Sequence, residues 1–206
     1  MTIEEIISTK NINEVLHFTT HRGLTGVMYQ KCVKALNHLR SDEALEFILK
    51  INTPKIYDPE WKDYVNLSIS RINKELFGYS QHWHPEQEWR ILAFDPVIMT
   101  HAGVIFVTTN NAYWQNLKRA PGAEGLEQLF NNAVKGRYGQ MHYRSPSMPS
   151  NWTTDVQAEI LYPHILSTQY LKGIYVRTSI ESDSVAAVIA SLGHPEIPVH
   201  IRPELF

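Results

Sequence analysis

The sequence predicts a single mixed α+β domain, and three observations support this fold class. Short stretches of alternating apolar residues, typical of strands, are mixed with stretches whose apolar residues repeat every three to four positions, typical of helices. The strand-like stretches cluster in the second half without alternating helices, which argues against a regular βαβ arrangement. The 206 residues contain no repeat, low-complexity segment or linker. We therefore expect one domain over residues 1–206, with about seven short strands and five or six helices.

The composition is that of an ordinary soluble globular protein, with 43% hydrophobic and 19% charged residues. A net charge of −2 argues against a protein that coats nucleic acid through bulk charge, although it allows a local basic patch. The sequence shows neither the pattern of a signal peptide nor that of a membrane span. Because Cys32 is the single cysteine, an internal disulfide is excluded, and a cytoplasmic location is the default expectation.

The first half of the chain begins with a predicted helix over residues 3–9, because Thr2 and Glu5 have the spacing of a capping box. The stretch from Tyr64 to Ser70 alternates cleanly and predicts a strand that buries Val65, Leu67 and Ile69. The other predicted elements are a strand over 11–20, a helix from about residue 22, a helix over 41–52 and a strand over 89–94.

The second half is dominated by a predicted strand from Asp155 to Tyr162, which carries Glu159 in its middle. A lone carboxylate in a strand is either a solvated edge residue or a group held in a cleft for chemistry. The other predicted elements are strands over 103–108, 140–144, 173–177 and 198–201, helices over 112–117, 123–135 and 182–192, and a loop over 145–154.

Few motifs of known chemistry are present. The sequence has no phosphate-binding glycine loop, nucleophile elbow or cysteine pair. His82, His84 and His101 lack a carboxylate at the spacing of a helical metal site, so we interpret them as exposed or core histidines and predict no metal.

Three residues on separate predicted strands suit an enzyme cleft: His17, Arg71 and Glu159. A histidine can hold a ribose hydroxyl, an arginine can pair with a phosphate, and a carboxylate can stabilise a cationic transition state. Each also has an ordinary explanation, as a core histidine, a solvated arginine and a solvated carboxylate.

These residues lie in short blocks that come in a characteristic order. The blocks are Leu16–Thr19, Gly23–Met28, Tyr64–Arg71, Val104–Thr108 with Asn110 and Asn111, and Gln157–Leu161. Together they resemble the signature blocks of the DarT family, DNA-modifying ADP-ribosyltransferases of bacterial toxin–antitoxin and phage-defence systems. The resemblance runs from about residue 13 to residue 176.

The resemblance implies an ADP-ribosyltransferase-like fold, in which two small, mostly antiparallel sheets with flanking helices form an NAD cleft. It implies an enzyme that splits NAD, releases nicotinamide and transfers ADP-ribose to a base of single-stranded DNA, thymidine first and guanosine next. Glu159 and Arg71 would be catalytic. The residues that would contact NAD are His17, Phe18, Thr19, Tyr64, Arg71 and Phe77. An antitoxin, of macrodomain or other ADP-ribose-removing type, is an expected partner.

The segment between Trp114 and Asp155 has no residues that match the family, yet it combines basic and aromatic side chains. Such a strip suits single-stranded DNA, because phosphates pair with the cations and bases stack on the rings. The alternative is a solvated helix face with core aromatics. The candidate DNA-binding residues are Lys118, Arg119, Arg137, Tyr138, Tyr143, Arg144 and Trp152.

Two other functions remain open from the sequence. One is an ADP-ribosyltransferase that acts on protein or RNA. The other is a nucleic-acid-binding domain without catalytic activity.

Overall fold

The computed structural model describes residues 1–39, 61–112 and 117–206. The predicted helix over 41–52 and most of the one over 112–117 lie outside these ranges. The helices are α1 (Ile3–Lys10), α2 (His21–Gln30), α3 (Leu36–Leu39), α4 (Lys74–Trp83), α5 (Gly122–Gln128) and α6 (Ser179–Ser191). The strands are β1 (Val15–Thr20), β2 (Cys32–Lys34), β3 (Tyr64–Ile69), β4 (Trp89–Phe94), β5 (Ile105–Val107), β6 (Arg119–Pro121), β7 (Ala133–Lys135), β8 (Met141–Tyr143), β9 (Glu159–Pro163), β10 (Ile165–Ser167), β11 (Leu171–Val176) and β12 (Val199–Ile201).

Eight strands form one sheet in the order β12-β11-β4-β1-β3-β9-β5-β6. The pair β11 and β12 is parallel and the other neighbours are antiparallel. Two further two-stranded sheets join β10 to β2 and β7 to β8. This architecture confirms the predicted mixed α+β class.

The large sheet is divided at its centre. Strand β1 pairs with β4 along its whole length, but with β3 only at Val15 and Leu16, which face Ile69 and Ser68. Beyond these residues β1 and β3 no longer pair, so the sheet consists of two four-stranded halves that open into a cleft. Two mostly antiparallel sheets around a cleft are what the family resemblance implies.

Apolar residues cover both faces of the half that contains β4. Leu92 and Phe94 belong to the larger core cluster, whereas Ile91 and Ala93 belong to the smaller one. A strand buried on both faces reads as a continuous apolar run. Arg90, within the same strand, is fully buried, and Glu88 and Glu181 pair with its guanidinium at 2.7 and 3.3 Å.

Several predicted elements are confirmed. Helix α1 has the predicted capping box between Thr2 and Glu5, and β4 has the predicted bounds. In β3 the residues Val65, Leu67 and Ile69 are buried and alternate with half-buried ones. None of the described helices has the length and apolar character needed to cross a bilayer.

Other predictions are wrong. The helix predicted over 123–135 ends at Gln128, and residues 133–135 form β7, which pairs with β8. Apolar residues continue at helical spacing across the boundary, although the first part of this stretch forms a helix and the last part forms a strand. The periodicity alone therefore does not separate the two elements. The strand predicted from Asp155 begins at Glu159, because residues 155–158 form a turn in which Asp155 Oδ1 accepts the Gln157 N–H. Twelve strands are described, whereas about seven are predicted.

Candidate active site

The opening between the two half-sheets is a cavity of about 250 Å³. Strand β1 contributes His17, Phe18 and Thr19 to its lining, and β3 contributes Val65, Asn66, Leu67 and Ser68. Residues from α2, α3 and α4 also line it, and Glu159 stands at the start of β9. Of the predicted site, the structure therefore brings together His17, Phe18, Thr19 and Glu159.

The carboxylate of Glu159 is buried, with 7% of the residue exposed, and it is held by neighbouring donors. Its Oε2 accepts the backbone N–H of Asn111 at 2.8 Å and the side-chain amide of Asn66 at 3.2 Å. A buried carboxylate with two donors on one oxygen has a defined orientation. Glu159 is therefore a buried, oriented carboxylate in the cavity wall rather than a solvated edge residue, and its catalytic role stays a prediction.

The donor from Asn111 is itself held in place by Arg119. The Arg119 Nε donates to the side-chain oxygen of Asn111 at 2.6 Å, and its Nη2 donates to the backbone oxygen at 3.1 Å. The same guanidinium lies over the Trp61 ring, 4.7 Å from the centroid. Arg119 thus acts on the loop that holds Glu159, a role that the sequence interpretation missed.

His17 is oriented by the strand opposite to it. Its Nδ1 donates to the backbone oxygen of Asn66 at 3.0 Å across the point where β1 and β3 separate. Asn66 therefore contacts both His17, through its backbone, and Glu159, through its side chain. Sequence reasoning did not single out Asn66, which lies on the half-buried face of β3 and within the block Tyr64–Arg71.

The end of β1 passes directly into α2. Thr20 caps this helix, because its Oγ1 accepts the Gly23 N–H at 3.0 Å. A Cβ on Gly23 would lie 2.2 Å from Oγ1 of Thr19, so a glycine is needed for Thr19 to keep its place in the cavity wall. The segment from Leu16 to Gly23 thus combines the end of β1, the N-terminal cap of α2 and the close packing of Gly23 against the Thr19 side chain.

Arg71, predicted to be catalytic, lies beside the loop that leads into β9 and is absent from the described cavity lining. Its Nη2 donates to the Thr153 oxygen at 2.8 Å, and its guanidinium lies 4.5 Å from the centroid of the Trp152 ring. Burial lowers the pKa of Arg71, and the nearby Asp155 carboxylate opposes this shift. A contact between Arg71 and NAD stays a prediction.

Two other predicted NAD contacts also lie outside the described cavity lining. Phe77 is 1% exposed and packs against Phe18 and Trp89, with ring centroids 5.0 and 5.6 Å apart. Tyr64 packs against Trp61, with the centroids 5.3 Å apart. Phe77 therefore packs behind Phe18 in the core. Of the three aromatic residues predicted to contact NAD, Phe18 is the one that lines the described cavity.

The predicted DNA-binding strip divides into engaged and exposed side chains. Arg144 is engaged, because it donates to the backbone oxygens of Pro149, Ser150 and Trp152. Tyr138 and Tyr143 are 87% and 71% exposed. Lys118 is also exposed, and Trp152 is 37% exposed. The Arg137 guanidinium lies over the Tyr138 ring, and Arg119 binds Asn111 as described above.

Solved structures support the fold. The chain superimposes on a DarT of Thermus sp. 2.9 in complex with ADP-ribosylated single-stranded DNA with a TM-score of 0.69 and 16% identity, covering 95% of this chain and 97% of that one. The same protein in complex with NAD+ gives a TM-score of 0.65 and 17% identity, with 94% and 97% coverage. A DarTG of Thermosipho africanus in complex with ADP-ribose gives 0.62 and 14% identity, with 94% of this chain matched to 51% of that one.

No curated protein matches the sequence. The family model described as "ssDNA thymidine ADP-ribosyltransferase, DarT" matches residues 16–206, which is most of the chain. The predicted family is therefore confirmed, and the chain belongs to the DarT family of single-stranded DNA thymidine ADP-ribosyltransferases.

Proposed function

We propose that this chain cleaves NAD+ in the cavity between the two half-sheets and transfers ADP-ribose to a thymidine base of single-stranded DNA. The observation that carries the proposal is the Glu159 carboxylate, which is buried at the cavity wall and held there by Asn66 and Asn111. The description of the matching family and the NAD+ and modified DNA in the Thermus DarT structures support it.

The chemistry explains why a fixed carboxylate suits this place. When the bond between the ribose carbon and the nicotinamide nitrogen breaks, its electron pair leaves with nicotinamide and positive charge develops on the ribose. A carboxylate already oriented towards that charge stabilises the transition state more than the ground state. A base nitrogen then bonds to the ribose carbon and loses its proton. Glu159 would accept this proton, and such general base catalysis contributes about 10²- to 10⁴-fold to the rate.

The two half-sheets would share the binding of NAD+. His17, held by the Asn66 backbone, would contact a ribose hydroxyl, and Thr19 would lie near the nicotinamide amide. Arg71 would act from the loop side, by fixing the segment from Trp152 to Asp155 that leads into Glu159.

The DNA strand would approach along the β7–β8 hairpin. Tyr138 and Tyr143 expose their rings there, and stacking is worth about 1–3 kcal/mol per base. Lys118 would pair with a phosphate, whereas Arg119 and Arg144 hold backbone oxygens of the chain itself. Thymidine is the base that the family description names, and guanosine is the next candidate.

The cellular setting is also part of the proposal. A chain that modifies DNA bases would act as a toxin or phage-defence effector, and an ADP-ribose-removing antitoxin would be its partner. We expect it to work in the cytoplasm, because NAD and DNA occur there together.

The test is incubation of the purified chain with NAD+ and four single-stranded oligonucleotides, each of which lacks one base. Mass spectrometry should detect an ADP-ribose adduct on every oligonucleotide except the one without thymidine, together with nicotinamide release. Glu159→Gln, which keeps the size of the side chain, should lower the rate of adduct formation by at least about 100-fold without lowering the melting temperature by more than a few degrees. Adducts on protein alone, or none at all, would overturn the proposal.

A further inference from the structure

Three side chains of the types that bind metal ions converge next to segments that line the cavity. They are His38 in α3, Asp63 just before β3 and His164 between β9 and β10. Their ligand atoms all lie within 4.8 Å of one another. Because the three residues are far apart in the chain, no spacing in the sequence indicates this cluster, and the sequence predicts no metal.

The separation of the two histidine nitrogens fits two ligands of one tetrahedral ion. Nε2 of His38 and Nδ1 of His164 are 3.3 Å apart. Two imidazole nitrogens at 2.0–2.1 Å from a tetrahedral zinc ion are about 3.3–3.4 Å apart. Oδ1 of Asp63 is 3.9 Å from Nε2 of His38 and within 4.8 Å of the His164 nitrogen, so the Asp63 carboxylate must move closer to both histidines to complete a third ligand position.

The surrounding hydrogen bonds already hold the three segments together. The backbone N–H of His164 donates to the backbone oxygen of Asp63 at 2.7 Å, and the backbone N–H of Ala35 donates to the backbone oxygen of His164 at 2.8 Å. The Asn37 side chain donates to Oδ1 of Asp63 at 3.1 Å, which is the outer contact that orients a carboxylate ligand in metal sites. His164 is exposed, so solvent can reach the cluster and supply a fourth ligand.

We propose that His38, Asp63 and His164 form a binding site for a divalent transition-metal ion, with zinc the best match to two imidazoles and one carboxylate. The ion would fasten α3 and the start of β3 to the turn between β9 and β10. Leu36, Leu39, Trp61 and Lys62 belong to the same segments and line the cavity, so the ion would also steady that wall.

The test measures metal binding and does not depend on the activity proposed above. The purified full chain is stripped with a chelator, and Zn²⁺ is titrated in by calorimetry, with Co²⁺ as an optical probe. We expect one equivalent of Zn²⁺ and visible Co²⁺ absorption that Zn²⁺ displaces. Zn²⁺ should raise the melting temperature.

The matched variants are His164→Asn and His82→Asn. His164 has a φ of +57°, a backbone conformation that asparagine tolerates, so the substitution removes the ligand without new strain. It should weaken Zn²⁺ binding by at least about 100-fold, more than the 10- to 100-fold typical for an outer contact. His82, an exposed histidine in α4, lies outside the cluster, and its variant should bind as the wild type does.

Asn37→Ala is a second variant that keeps all three ligands, and it should weaken binding by about 10- to 100-fold. If His164→Asn does not fold, this variant decides. The proposal is overturned if the wild type binds no Zn²⁺ at micromolar concentration, or if neither His164→Asn nor Asn37→Ala binds more weakly than His82→Asn.

Discussion

Removal of the Asn66 amide tests whether Glu159 depends on its donors. In Asn66→Ala the contact at 3.2 Å to Oε2 of Glu159 is lost, whereas the backbone oxygen that accepts from His17 remains. A hydrogen bond to a charged group contributes about 1.5–3 kcal/mol. If this contribution applies in the transition state, kcat/KM for transfer to DNA falls by about 10- to 150-fold, since about 1.36 kcal/mol corresponds to a factor of ten.

The assay follows adduct formation on a thymidine-containing oligonucleotide at limiting NAD+. Asn132→Ala is the control, because Asn132 is exposed between α5 and β7 and does not line the described cavity. It should react as the wild type does, and both variants should keep the wild-type circular dichroism spectrum. A kcat/KM for Asn66→Ala within twofold of the wild type would refute the reasoning.

A double-mutant cycle separates positioning from general damage. If Asn66 acts through Glu159, adding Asn66→Ala to Glu159→Gln lowers the residual rate by less than about threefold. The reason is that substitutions at contacting residues that act together do not have additive effects on the rate. A further loss as large as in the wild-type background would mean that Asn66 acts elsewhere.

Three other expectations rest on particular contacts. Gly23→Ala should raise the KM for NAD+ with little change in melting temperature, because the new Cβ displaces the Thr19 hydroxyl, and an unchanged KM would contradict the role of Thr19. Glu181→Gln should lower stability by about 2 kcal/mol, or about 4–8 °C in a melting experiment, because the buried Arg90 loses one of its two carboxylates. Burial raises the pKa of the Cys32 thiol, so alkylation by iodoacetamide should be slow at neutral pH and faster as the pH rises, and bound NAD+ should protect this single cysteine of the cavity wall.

The elements that sequence reasoning predicted correctly depend on local chemistry. The capping box of Thr2 and Glu5 and the alternation from Tyr64 to Ile69 are complete within a few residues. The predicted helix over 123–135 failed because the boundary after Gln128 depends on β7 pairing with β8, which the apolar spacing does not show. Local patterns do not report partners that are distant in the chain.

In the candidate site too, local patterns identified some residues, whereas contacts between distant parts of the chain were not predicted. Glu159 and His17 were identified because they lie in short blocks that resemble a family. Asn66 and Asn111 lie in those blocks too, yet their contacts with Glu159 arise only when β3, β9 and the end of β5 come together. Arg119 was interpreted as a DNA contact because a basic residue beside aromatics is typical of such surfaces. The structure adds two hydrogen bonds from Arg119 to Asn111, which that pattern does not show, and the DNA contact stays a prediction.

The orientation of Glu159 is therefore a property of strand register. In β9 this residue faces Val107 of β5, and the next residue, Ile160, faces Leu67 of β3. This register brings the carboxylate beside both the Asn66 amide and the loop after β5 that carries the Asn111 N–H. A slip of one residue would turn the carboxylate to the opposite face of the sheet. Because β9 lies between β3 and β5, the pairing on both of its sides opposes such a slip, and the same pairing that stabilises the half-sheet keeps the carboxylate aimed at the cavity.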